Sequence, residues 1–143
     1  MKLPTDVTPR PDIEDILCDL FEKKAVEIDP TPVVVTELPQ DYEFTIQDRP
    51  IITIRKTTGS GTTDHQVDAS FIELAVVYRT RREAWQLLNY LAAWLCSLEG
   101  RADMGPVRLA AIEEIKSPVM PKWVDPEHRR VQADFRMDIR RPR

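Results

Sequence analysis

The hydrophobic pattern opens with a helix. Ile13, Ile16, Leu17, Leu20 and Phe21 recur at i, i+3, i+4, i+7 and i+8, an apolar stripe over two turns. Asp12 stands in the capping place with Asp15 three residues on. Acidic side chains crowd the first turn, and Lys23 and Lys24 sit near the end, as the helix dipole favours. Before it, Pro4, Pro9 and Pro11 interrupt a stretch without hydrophobic period, so residues 1–11 read as an extended arm and 12–143 as one domain. A second helix is entered by the capping box Thr80-Arg81-Arg82-Glu83. Its apolar face holds Ala84, Leu87, Leu88, Leu91, Ala92, Leu95 and Leu98, with Trp85 and Trp94 at the flanks and Gly100 as the stop.

The remaining pattern is extended. Pro32 to Leu38, centred on Val33-Val34-Val35, predicts a short strand. A second run covers Tyr42 to Lys56, with Asp48-Arg49-Pro50 suggesting a bulge or edge. A third covers His65 to Tyr78, apolar on both faces in its second half. Between them lies the polar tip Thr57-Thr58-Gly59-Ser60-Gly61-Thr62-Thr63-Asp64, which predicts a hairpin. At ~3.3 Å per residue such arms reach on the order of 45 Å, so the tip is expected to project beyond the body. Val107 to Ile115 reads as a further strand. The last is the most regular: Val131, Ala133, Phe135, Met137 and Ile139 alternate with polar residues. The expected fold is α+β, with a largely antiparallel sheet, two helices packed on one face and a long projecting β-hairpin.

Composition changes little in that picture. The chain has 143 residues, 42% hydrophobic and 31% charged, which suits one ordinary globular domain. No stretch approaches the ~20 apolar residues of a membrane span, and the first residues lack the apolar core of a signal peptide. The expected location is therefore the cytoplasm, or a particle assembled there. The net charge of −4 argues against a general nucleic-acid binder. Its distribution says more. Residues 1–48 carry 12 acidic and 4 basic side chains, and residues 49–143 carry 12 acidic and 16 basic. Arginines gather at Arg79, Arg81 and Arg82, at Arg129 and Arg130, and toward the end. This is either a solvated surface or a pair of opposite patches that meet between copies.

Candidate chemistry is sparse. The glycine-rich tip lacks the lysine and following helix of a phosphate-binding loop. Asp64 and His65 are neighbours on a strand and point to opposite faces, as do Glu113 and Glu114. Cys18 and Cys96, each in a helical pattern, read as free thiols, and with two histidines they offer no metal-ligand spacing. No catalytic, metal or cofactor constellation emerges, and no enzyme is expected. Trp123, in a proline-stiffened loop, is either folded onto the core or an interface anchor.

The order of elements resembles the tail terminator (head-to-tail connector) proteins of long non-contractile-tailed phages, especially those of actinobacterial hosts. The features that carry the resemblance are the opening helix Pro11 to Leu17, Val33-Val34-Val35-Thr36-Glu37-Leu38-Pro39, and the Ile51-Ile52-Thr53-Ile54-Arg55 strand with its polar tip. The helix from Thr80 to Trp85 and Trp123-Val124-Asp125-Pro126 ahead of the final strand complete it. The resemblance covers roughly residues 11–140. It implies a homo-hexameric ring in the virion, bound to the tail tube protein on one side and to a neck or head-completion protein on the other. DNA would only pass through the lumen, and no membrane or cofactor would take part. The alternatives are another neck or head-completion protein and, from a different class, a small cytoplasmic enzyme or ligand-binding module. Interface positions are expected at Thr57 to Asp64, at Arg79, Arg81 and Arg82 facing acidic residues 1–48 of an adjacent copy, and at Trp123.

Overall fold

A computed structural model describes residues 1–9, 12–64, 67–100, 108–119 and 130–140. Helix α1 spans Ile13–Ala25, strand β1 Val33–Val35, helix α2 Tyr42–Thr45, strand β2 Ile51–Asp64 and strand β3 Val67–Val77. Helix α3 spans Arg81–Cys96, strand β4 Arg108–Val119 and strand β5 Arg130–Arg140. Residues 1–9 form neither helix nor strand.

The strands form one sheet in the order β1-β2-β3-β5-β4. The pair β1–β2 is parallel, and the other three are antiparallel. This is the expected α+β class with a mostly antiparallel sheet. Both expected helix caps form. The Asp15 N–H donates to Asp12 Oδ1 at 3.2 Å, and the Glu83 N–H donates to Thr80 Oγ1 at 3.2 Å. The Thr80 hydroxyl donates in turn to Glu83 Oε2 at 2.8 Å.

Helix α1 lies over β1 and β2, and α3 lies over β3, β5 and β4. The helices meet where the Phe21 ring stands edge-on to Trp94, 5.1 Å between centroids at 85°. The core closes beneath them. Leu17, Phe21, Leu88, Leu91 and Leu95 are fully buried against Ile52, Ile54, Ile72, Leu74 and Phe135. Burying apolar area of this kind supplies the main folding free energy, at roughly 25 cal/mol per Å².

Three expectations are corrected and a fourth is not confirmed. The run from Tyr42 is not extended at its start. It forms the one-turn helix α2, and the strand begins only after Pro50, whose missing N–H suits a strand boundary. There are thus three helices among the described residues rather than two. The chain does not reverse at Gly59-Ser60-Gly61, because Gly59 pairs with Ser70 and Ser60 with Ala69 inside the β2–β3 ladder. The register shift that follows, between Ser60 and Asp64, is where glycine in a strand is useful. Strand β4 continues past Ile115 through Pro118 to Val119, which an edge strand tolerates. The hairpin's second strand is a central strand. β3 bonds to β5 along its length, down to Val67 opposite Arg140, so a hairpin standing free of the sheet is not confirmed.

Candidate assembly surfaces

The helix-free face of the sheet carries a row of charges. Register places Arg55, Glu73, Asp134 and Lys116 side by side across β2, β3, β5 and β4. Such neighbours interact across strands. Glu73 is the centre. Its side chain is 10% exposed, and its Oε1 accepts from Arg130 Nη2 at 2.6 Å. Its Oε2 lies 3.5 Å from Arg55 Nη2. Beside it, burial first and the Glu73 charge second push the Asp134 carboxyl above the usual range, while Lys116 pulls it back. The neighbouring row, Thr53, Ala75, Gln132 and Val119, holds the buried Gln132 amide, whose Oε1 has no partner among the described residues. A recess of about 250 Å³ opens here, lined by Thr36, Leu38, Arg55, Glu73 and Arg130 among others.

The arginines ahead of α3 divide into two kinds. Arg79 is already engaged: its Nε and Nη2 each donate to the Glu83 carboxylate at 3.0 Å, and its guanidinium lies 5.1 Å from the Tyr78 ring centroid. That pair holds Glu83 below the usual carboxylate range, and Arg79 above its own. Arg81 and Arg82 are exposed on the first turn and have no ion-pair partner among the described residues. They border a shallow groove of about 550 Å³ with Trp85, Gln86 and Asn89. Positive charge at a helix start opposes the dipole.

On α1 the charges are the reverse. Asp15, Asp19 and Glu22 are exposed at i, i+4 and i+7, on the side away from buried Leu17 and Phe21. The field they create reaches Cys18, a free thiol pushed up to about 11 by burial first and then by Glu22, Glu14, Asp15 and Asp19. Glu14 is engaged instead, accepting the Lys56 N–H at 2.7 Å. Lys24 sits 5.7 Å from the Tyr90 ring centroid and 5.6 Å from that of Trp94, and pairs with Glu27 at 3.2 Å.

Of the expected interface positions, Thr57 to Asp64 lie on the outer half of β2, with the Thr57 hydroxyl donating to the Phe71 carbonyl at 3.3 Å. Trp123 falls outside the described residues, as do His65, Arg129 and the whole of residues 120–129. Sequence reasoning missed Glu73, and it expected an acidic surface within residues 1–48 without singling out the row of α1. Both left a signal: a lone carboxylate within Phe71-Ile72-Glu73-Leu74-Ala75, and helical spacing of Asp15, Asp19 and Glu22.

Among the described residues no group of three or more His, Cys, Asp or Glu side chains could hold a metal ion. No described helix is long and apolar enough to cross a membrane. The family model described as phage tail termination protein matches residues 9–143. No curated protein matches the chain.

Proposed function

The chain belongs to the phage tail termination protein family, and from that premise we propose that it caps the end of a completed tail tube as a hexameric ring. The family places it among structural proteins of the phage tail. The observation that carries the finer reading is the extent of the match, which takes in all three helices and all five strands among the described residues. The mechanism is geometric. A ring seated on the last layer of tube subunits occupies the surface that the next layer needs, so polymerisation stops without any bond being made or broken. Its other side then meets a neck or head-completion protein.

The charge of the chain suits this position. A net charge of −4 gives the lumen wall no general affinity for the DNA backbone, so the genome passes without being held. Assembly takes place in the host cytoplasm, and the ring stays in the virion at the neck end of the tail. In this reading Thr57 to Asp64, and Trp123, meet the tube or a ring neighbour. The basic start of α3, reduced to Arg81 and Arg82 now that Arg79 is engaged with Glu83, meets an adjacent subunit.

Particles assembled without this protein test the reading. Overlong tails, measured by electron microscopy, are the expected result. Tails of normal length left unattached to heads would instead assign the chain to head completion, and normal attached tails would remove it from tail assembly altogether.

A further inference from the structure

We propose that the acidic row of α1, Asp15, Asp19 and Glu22, seats against Arg81, Arg82 and Trp85 on the α3 flank of a neighbouring copy. This rests on the ring reading and names the contact that closes it.

Four observations lead to a second copy as the occupant. The two surfaces carry opposite charge, and neither has an ion-pair partner at home among the described residues. Each is self-repulsive as it stands. Asp15 and Asp19 are like charges at i, i+4, and Arg81 and Arg82 oppose the dipole of their own helix. Carboxylates brought to the start of α3 relieve both penalties together, and the arginine fork accepts them two bonds at a time. Trp85, half-buried against the core, leaves the rest of its ring beside the arginines, where it gives such a contact an apolar centre.

The placement of the two surfaces excludes a contact within one chain. Helix α1 covers the β1–β2 side of the sheet, and its acidic row points away from the core. Helix α3 covers the other side. Its flank toward α1 is marked by Trp94 against Phe21 and by Tyr90 beside Lys24. At about 100° per residue, Arg82, Trp85 and Asn89 fall on its opposite flank. The acidic row therefore lies on the outward surface of the β1–β2 half and the basic flank on the far side of α3, on separate parts of the subunit surface. A contact joining unlike patches is head-to-tail, which closes into a ring when the rotation allows.

Charge reversal tests this. Two variants are made, Asp15→Lys with Asp19→Lys, and Arg81→Glu with Arg82→Glu. All four side chains are exposed, and circular dichroism and thermal unfolding verify that each variant folds. Native mass is read in solution and on isolated tail tubes. The wild type is expected to form rings, loosened by salt. Each variant alone should associate at least about tenfold more weakly, since like charges then face each other. Mixed in equal amounts, the two should assemble again, because each supplies the charge the other lacks. Assembly of either variant like the wild type overturns this interface and leaves the ring standing. Two folded variants that fail alone and also fail when mixed overturn it too. A wild type that forms no ring either in solution or on tubes overturns the interface and the ring reading together.

Discussion

Replacing Phe21 with alanine is expected to lower the unfolding free energy by about 3–5 kcal/mol, the usual cost of deleting a buried aromatic ring. The ring is 1% exposed and is the apolar contact of α1 with α3, edge-on to Trp94, beside the contacts of Lys24 with Tyr90 and Trp94. Little can fill the space. Leu17, Leu91 and Leu95 belong to the same closed core, together with apolar residues of the sheet. Set against a typical total of about 5–15 kcal/mol, the loss approaches half of the stability. Urea unfolding checks it: the midpoint should fall with the slope unchanged. The Trp94 fluorescence should also change, since the ring loses its edge-on partner. A loss below about 1 kcal/mol would mean that α1 is held elsewhere.

The second large effect is expected at Glu73. Glu73→Ala removes the carboxylate that accepts from Arg130 and lies beside Arg55, at a site where Glu73 and Arg130 are only 10% and 17% exposed. Breaking a buried pair costs about 3–5 kcal/mol, and the residual exposure of this one puts it at the lower end. Glu73→Gln keeps the shape and should cost less. Both variants should also change the pH dependence, with a defined sign. The Asp134 carboxyl is raised in the folded state, by burial first and by Glu73 second. A raised carboxyl opposes folding while ionised, so the protein gains stability from this group as pH falls through its folded pKa toward the unfolded value. Without Glu73 the second cause is gone, the Asp134 pKa moves down, and the acid-side gain shrinks. A carboxyl titration of Asp134 by NMR in Glu73→Gln reads this directly; an unmoved titration would show that the two carboxylates do not sense each other.

The elements with local causes were legible in the sequence. The capping residues Asp12 and Thr80 form the hydrogen bonds their spacing predicts, and the helices start one residue after them. The alternation from Val131 to Ile139 gives β5, with each of its apolar members buried. What escaped depends on distant partners. The parallel pairing of Val33 with Ile51 cannot be read from either segment. Nor can the continuation of β2 through the glycines to Asp64, which depends on β3 offering Ser70 and Ala69 as partners. Helix α2 is a single turn, too short for a hydrophobic period. The candidate surfaces divide the same way. The basic start of α3 was visible as a run of arginines. That Arg79 is engaged with Glu83 follows from their i, i+4 spacing only once α3 is seen to begin at Arg81, with Arg79 just before it. Glu73 required register, because only pairing brings Arg55, Arg130 and Asp134 around it.

The helix-free face, the outward acidic row of α1 and the basic flank of α3 are three chemically different surfaces. The last two serve neighbours in the proposed ring. Glu73 in the charged row is fastened within the chain to Arg130 and Arg55, so this part of the row stiffens the sheet. This division predicts that charge reversals on those two surfaces affect assembly with little effect on folding, while changes at Glu73 act on folding first.

The central claim is that the ring itself stops tube growth. Isolated tail tubes are incubated with the purified protein, imaged by negative stain, and then supplied with fresh tube subunits. A ring at one end of each tube and no further lengthening at that end are expected. Bare ends, or tubes that lengthen as fast with the protein as without it, would contradict it.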